Sequence, residues 1–160
     1  VKVEALPTND PIFKLKHSLA CAAAIVASVF SYSSLAFTIL IMLWPYSAVE
    51  ELGQRVIAFF VGICICILFG VLLSIGKYLV LKIYSLLAFS AIVASLIYII
   101  DIVAKQKGGL SFNGLELSAF FIVLNFILLL FFHSGHLKVS VKVIKRLKRQ
   151  HQQHLEYLKK

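Results

Sequence analysis

Residues 117–132 read LSAFFIVLNFILLLFF, with two polar side chains, Ser118 and Asn125, and no charge. The run is too long for a strand and carries no glycine or proline, so it reads as a helix whose solvent is hydrocarbon. A bilayer core about 30 Å thick takes roughly 20 apolar residues per helix. Residues 136–160, HLKVSVKVIKRLKRQHQQHLEYLKK, are the opposite: basic, polar and histidine-bearing. That abrupt change, from oil-soluble to cationic within a few residues, sets the terms on which the remaining sequence is read.

Three further apolar runs precede it, at about 18–43, 56–75 and 83–103, and 117–133 completes the set. The 160 residues are 61% hydrophobic and 14% charged, with a mean hydropathy of +0.95. A soluble domain of this size is surface-rich and could not hide so much apolar area. The roughly 10-residue alternation of a membrane barrel is absent. The expected fold is therefore all-α: an integral membrane four-helix bundle (18–133) between a polar N-terminal tail (1–17) and an amphipathic basic C-terminal helix (134–160). Trp44-Pro45-Tyr46 closes the first span. Lys77 and Lys82 bracket a tight connection, and Gly108-Gly109 and Asn113-Gly114 mark a turn in the loop 104–116.

Most of the net charge of +9 lies at one end of the chain. From His133 onward eight basic residues face a single acid, Glu156, a balance of +7. The N-terminal tail and the 76–82 connection are basic as well, whereas Glu50 and Glu51 occupy the 47–55 loop. The positive-inside rule then places both termini in the cytoplasm of a multi-pass protein.

Within lipid, helices associate through close packing of small residues and a few hydrogen bonds. Ala20, Ala24, Ala27, Ser31 and Ser34 recur in the first span at spacings of 4, 3, 4, 3, and Ala88, Ala91 and Ser95 repeat that rhythm in the third. Gly62, Cys66, Gly70 and Ser74 recur every four residues in the second. These are expected helix-packing seams. Asn125 sits mid-span in the fourth helix, read as a bond within the subunit to a serine or a backbone carbonyl, as a hydrogen bond between subunits, or as a pore-lining amide. Asp101, near the end of the third span, is expected to pair with Lys105 or Arg55. His133 and His136 stand three apart, but no second ligand pair accompanies them. The cysteines, Cys21, Cys64 and Cys66, all sit in apolar runs without a CxxC or zinc spacing. No nucleophile–base set, paired buried carboxylates or broken helix is evident, so neither an enzyme nor a coupled transporter is expected, and no cofactor.

On a helix, Leu137, Val141, Ile144, His151, Leu155 and Leu158 of the tail line one side, with Lys148 interrupting the heptad. Lys138, Lys142, Lys145, Arg146 and Arg149 gather on the other. Together with Lys148 these are the expected partner- or lipid-binding residues. They suit the anionic inner leaflet, self-association of the tail, or an acidic cytosolic protein. Without aromatic interleaving, nucleic acid is not an expected partner.

The four spans and the basic tail KVSVKVIKRLKRQ resemble, in layout, the four-span membrane subunit of the Kiwa anti-phage system. They are also similar to the four-span immunity proteins against pore-forming colicins. The resemblance transfers no site residue. It implies a non-enzymatic, homo-oligomeric protein of the bacterial inner membrane that senses membrane disturbance or anchors a cytosolic partner through its tail. A holin-like pore and a toxin-immunity protein are the alternatives.

Overall fold

The computed structural model describes residues 11–43, 49–105 and 112–158. All regular structure among them is helical: α1 (Pro11–Leu43), α2 (Val49–Ser74), α3 (Leu79–Lys105), α4 (Phe112–His133) and α5 (Gly135–Leu158). The first four are long and apolar enough to cross a membrane, over Leu15–Met42, Gly53–Ser74, Leu79–Ala104 and Leu115–His133. The Trp44-Pro45-Tyr46 and Gly108-Gly109 segments lie outside the described residues.

All four membrane-length helices begin before the expected spans do: α2 at Val49 rather than near 56, which makes most of the expected 47–55 loop helical, and α3 at Leu79 rather than near 83. α1 starts at Pro11 rather than near residue 18. Proline suits the first helical position, where its missing N–H costs nothing. α4 starts at Phe112, so the Asn113-Gly114 pair is helical rather than a turn. In a first turn the backbone N–H groups need no intrahelical acceptor, which keeps the penalty of a glycine there small.

The α2–α3 connection is set by one residue. Gly76 has φ +87°, a left-handed conformation natural to glycine. Its N–H donates to the Leu73 carbonyl at 2.8 Å, and the Lys77 N–H reaches back to Leu72 at 3.2 Å. That pair of bonds is a Schellman cap, which ends α2 and turns the chain directly into α3. We refer to this end of the bundle, shared with α5, as basal and to the opposite end as distal.

α3 and α4 form the most extensive helix pair, α1 packs on α3, and α2 rests chiefly on α1. The core changes character along its length. Its basal half is filled by Cys21, Ala24, Leu73, Val80, Leu81, Tyr84 and Phe132, all nearly inaccessible. The rings of Tyr84 and Phe132 meet at 5.7 Å between centroids, and the Tyr84 hydroxyl donates to the Cys66 carbonyl at 2.9 Å. Farther along, the buried positions become Ser31, Ser34, Thr38, Ala91, Ser95, Ser118 and Asn125. The outward faces carry large apolar side chains, including Ile57, Leu68, Leu86, Phe89 and Ile100, as expected of helices solvated by lipid.

Candidate functional site

The strongest concentration of charge is α5, and the structure fixes how it is held. Ser134 separates it from α4. The Ser134 N–H donates to the Phe131 carbonyl at 3.1 Å, closing the last turn of α4. Its hydroxyl oxygen accepts from the Leu137 N–H at 3.4 Å and its carbonyl from the Lys138 N–H at 3.3 Å. Ser134 is thus the N-cap of α5, and the polypeptide can change direction there without losing its backbone bonds.

From this cap α5 folds back along the basal end of α1. Leu137 and Val141, each 1% exposed, enter the same apolar cluster as Cys21, Ala24 and Phe132, and Ile144 packs at its edge. Ser140 is buried between them. Its hydroxyl donates to the His136 carbonyl at 2.9 Å, so its single proton is used. Its Oγ also stands 2.9 Å from His17 Nδ1, a contact donated by the imidazole in the tautomer protonated at Nδ1. Farther along, Lys145 lies over Gly76: a Cβ built on that glycine would stand 2.6 Å from Lys145 Cβ and 3.0 Å from its Cα. Three elements, the α1 base, the α4 end and the α2–α3 turn, thereby grip α5.

The opposite side of α5 is open. Lys142, Arg146, Lys148 and Arg149 are exposed there, and Lys138 is half-buried at the α4 junction. Lys145, expected on the same side, is solvent-accessible but roots against Gly76, at the edge of the packed face. The side chains of His151, Leu155 and Leu158 lie outside the described residues. The result is a row of cations at a fixed orientation to the bundle. Such an array attracts anionic surfaces and speeds encounter with them. Comparison with protein-family models, curated proteins and solved structures finds no match.

The small-residue seams line helix interfaces. Ala24, Ala27, Ser31 and Ser34 of α1 and Ala88, Ala91 and Ser95 of α3 are buried; Ala20 is half-buried beside the basal cluster. In α2, Cys66 and Gly70 are buried and Gly62 half-buried. A Cβ on Gly70 would meet Ile25 of α1 at 2.5 Å, and one on Gly62 would fall onto the Tyr32 ring. The Tyr32 hydroxyl donates across the same interface to the Ala58 carbonyl at 3.2 Å.

Several buried hydroxyls answer their own backbone. Ser28 donates to Ile25, Ser34 to Ser31 and Thr38 to Ser34, at 2.7, 2.9 and 2.8 Å. This lets them serve as small packing residues in a nonpolar medium. Asn125 is fully buried, and its amide NH2 donates to Ser34 Oγ at 2.7 Å and to the Phe121 carbonyl at 2.9 Å. Both bonds stay within the subunit. Its Oδ1, with Ser31 Oγ and Ser95 Oγ, is buried without a hydrogen-bond partner among the described residues.

Those bonds oppose one another in a substitution. Membrane side-chain hydrogen bonds average about 0.6 kcal/mol, whereas an unanswered buried oxygen costs about 1–3 kcal/mol. Asn125→Leu, of similar volume, is expected to lie within about 1 kcal/mol of the parent or to exceed it, as judged by SDS-driven unfolding in mixed micelles. A loss above about 3 kcal/mol would show that Oδ1 is satisfied in the membrane.

Asp101 is half-buried near the distal end of α3. Cys21 and Cys66 are buried, Cys64 faces outward, and all three are free thiols. Among the described residues no three His, Cys, Asp or Glu side chains converge as a metal site. The His17–Ser140 bond, the Ser134 cap and the role of Gly76 escape a reading by hydropathy. Gly76 does leave a signal, as the lone glycine where the apolar run of α2 gives way to Lys77.

Proposed function

We propose that the chain is a non-enzymatic protein of the bacterial inner membrane, with both termini cytoplasmic, that holds an acidic cytosolic protein at the membrane through α5. The reading rests on one observation: α5 is clamped by Leu137, Val141 and the Lys145 contact at Gly76, with Lys142, Arg146, Lys148 and Arg149 turned outward. A tail that merely floated on lipid would need no such clamp. Placing the cations inside follows from the positive-inside rule. Homo-oligomerisation through the lipid-facing surfaces, and a part in sensing membrane disturbance during anti-phage defence, are proposed on the strength of the resemblance in layout.

Removing α5 would also bare the apolar base of α1, so exchange of charge is the cleaner test. Replacing Lys142, Arg146, Lys148 and Arg149 by glutamine leaves the clamped face, including the Lys145 contact at Gly76, intact. Acidic cytosolic protein that co-purifies with the full-length parent should drop at least tenfold with the neutralised variant. Equal recovery with both would refute docking through α5. Protease added to sealed right-side-out vesicles should spare the 142–149 segment; cleavage there would overturn the orientation.

A further inference from the structure

Beside the root of α5 the basal ends of α3 and α4 enclose a cleft of about 400 Å3. Lys82, Lys138 and His133 stand at its rim, and its lining holds no acidic side chain. Leu86, Phe89 and Phe132 form its floor. His133 Nδ1 is 3.0 Å from the Leu129 carbonyl, one turn back on its own helix, and 3.5 Å from Ser85 Oγ, so the ring is held against the wall.

The position of the cleft matters as much as its lining. The apolar span of α4 ends at His133, and that of α3 begins at Leu79. The rim therefore lies at the boundary between hydrocarbon and water, while the floor runs into the apolar zone. Leu86 and Phe89 are 67% and 55% exposed on a membrane-crossing helix, so this wall faces lipid rather than cytosol. An acidic soluble protein could satisfy the lysines but could not cover the floor.

We infer that the cleft is a discrete binding site for one anionic phospholipid, its phosphate between Lys82 and Lys138 and an acyl chain along Leu86 and Phe89. Lysine ammoniums are compact charges that hold phosphate without demanding a planar fork. Basic pockets between membrane helices on the cytoplasmic side recognise anionic headgroups by this combination. The site lies on the α3–α4 side of the α5 root and requires no soluble partner. It adds a stoichiometric ligand to a protein whose other cations are spread along an open helix face.

The test uses the full chain in detergent, titrated with phosphatidylglycerol and observed by native mass spectrometry. One phosphatidylglycerol should bind ahead of any others, and phosphatidylcholine with the same chains should bind at least tenfold more weakly. Lys82→Gln with Lys138→Gln should weaken the first phosphatidylglycerol by about 25-fold, since each basic residue near a membrane surface contributes about a factor of five. Lys142→Gln with Arg146→Gln, on the proposed partner-binding face, should leave that first step within about twofold of the parent. Equal binding of the two lipids would overturn the site. So would an equal loss in the two double variants, which means diffuse attraction to α5. Displacement by glycerol phosphate at the lipid's own concentration would overturn the acyl half of the assignment. Recovery of partner protein is unaffected by any of these lipid readouts, so failure here is distinct from failure of the docking role.

Discussion

Leu137→Asp releases α5 from the bundle while leaving it helical. The parent side chain is 1% exposed in the basal cluster, and full burial of a leucine is worth about 2 kcal/mol. A carboxylate cannot take its place, because an unpaired buried charge costs several kcal/mol more than leaving the pocket. Position 137 is also the third residue after the Ser134 cap, where an acid favours the helix by interacting with the N-terminal end of its dipole. Packing and helix propensity therefore separate cleanly. Trypsin should cut the Lys142–Arg149 segment at least tenfold faster in the variant, with unchanged circular dichroism in the far ultraviolet. Val141→Asp should release the helix as well, without the compensating dipole term. Unchanged proteolysis in both would mean that the α1 contact does not hold α5.

Gly62→Leu combined with Gly70→Leu separates α2 from α1. A Cβ at position 70 arrives 2.5 Å from Ile25 Cγ1 and 3.1 Å from its Cγ2, so more than the tip of that side chain has to move. At position 62 the new atoms occupy the Tyr32 ring, and swinging the ring away breaks its bond to the Ala58 carbonyl. Overpacking costs about 1–3 kcal/mol per site. α2 has little else to lean on, since its contact with α3 is slight beside its contact with α1. The double variant should lose about 4 kcal/mol, read as a lowered SDS midpoint, and should give a cysteine pair across the α1–α2 interface that no longer cross-links. Gly53→Leu, where a Cβ meets nothing within 4 Å, is the matched control and should behave as the parent.

The sequence carried the helices more openly than their neighbours. Unbroken apolar runs such as 117–132 can be satisfied in only one way within lipid, so four membrane-length helices follow from hydropathy alone. Spacing likewise isolates Ala24, Ala27 and Ser31 as one side of α1, and Ala88, Ala91 and Ser95 as one side of α3. It does not say which helix each side meets. Gly62 and Gly70 form a ridge by pattern, but the bodies that fit it, Tyr32 and Ile25, emerge only in three dimensions. The same gap explains α5. Periodicity groups Leu137, Val141 and Ile144 on one side, and lipid, another copy or the chain's own α1 would each cover that side equally well in sequence terms. Only the backbone turn at Ser134 and the contact at Gly76 choose among them. The cleft at Lys82 and Lys138 was hidden for a related reason, because residues more than fifty positions apart share no local pattern.

The changing character of the core sorts the two ends of the bundle by softness. At the base, aromatic and branched side chains interlock beneath a helix latched across them. Toward the far end, hydroxyl-bearing residues and an amide with an unanswered oxygen leave less to lose when helices part. Local opening of the bundle is expected to begin at that end, with α5 still lying across the base.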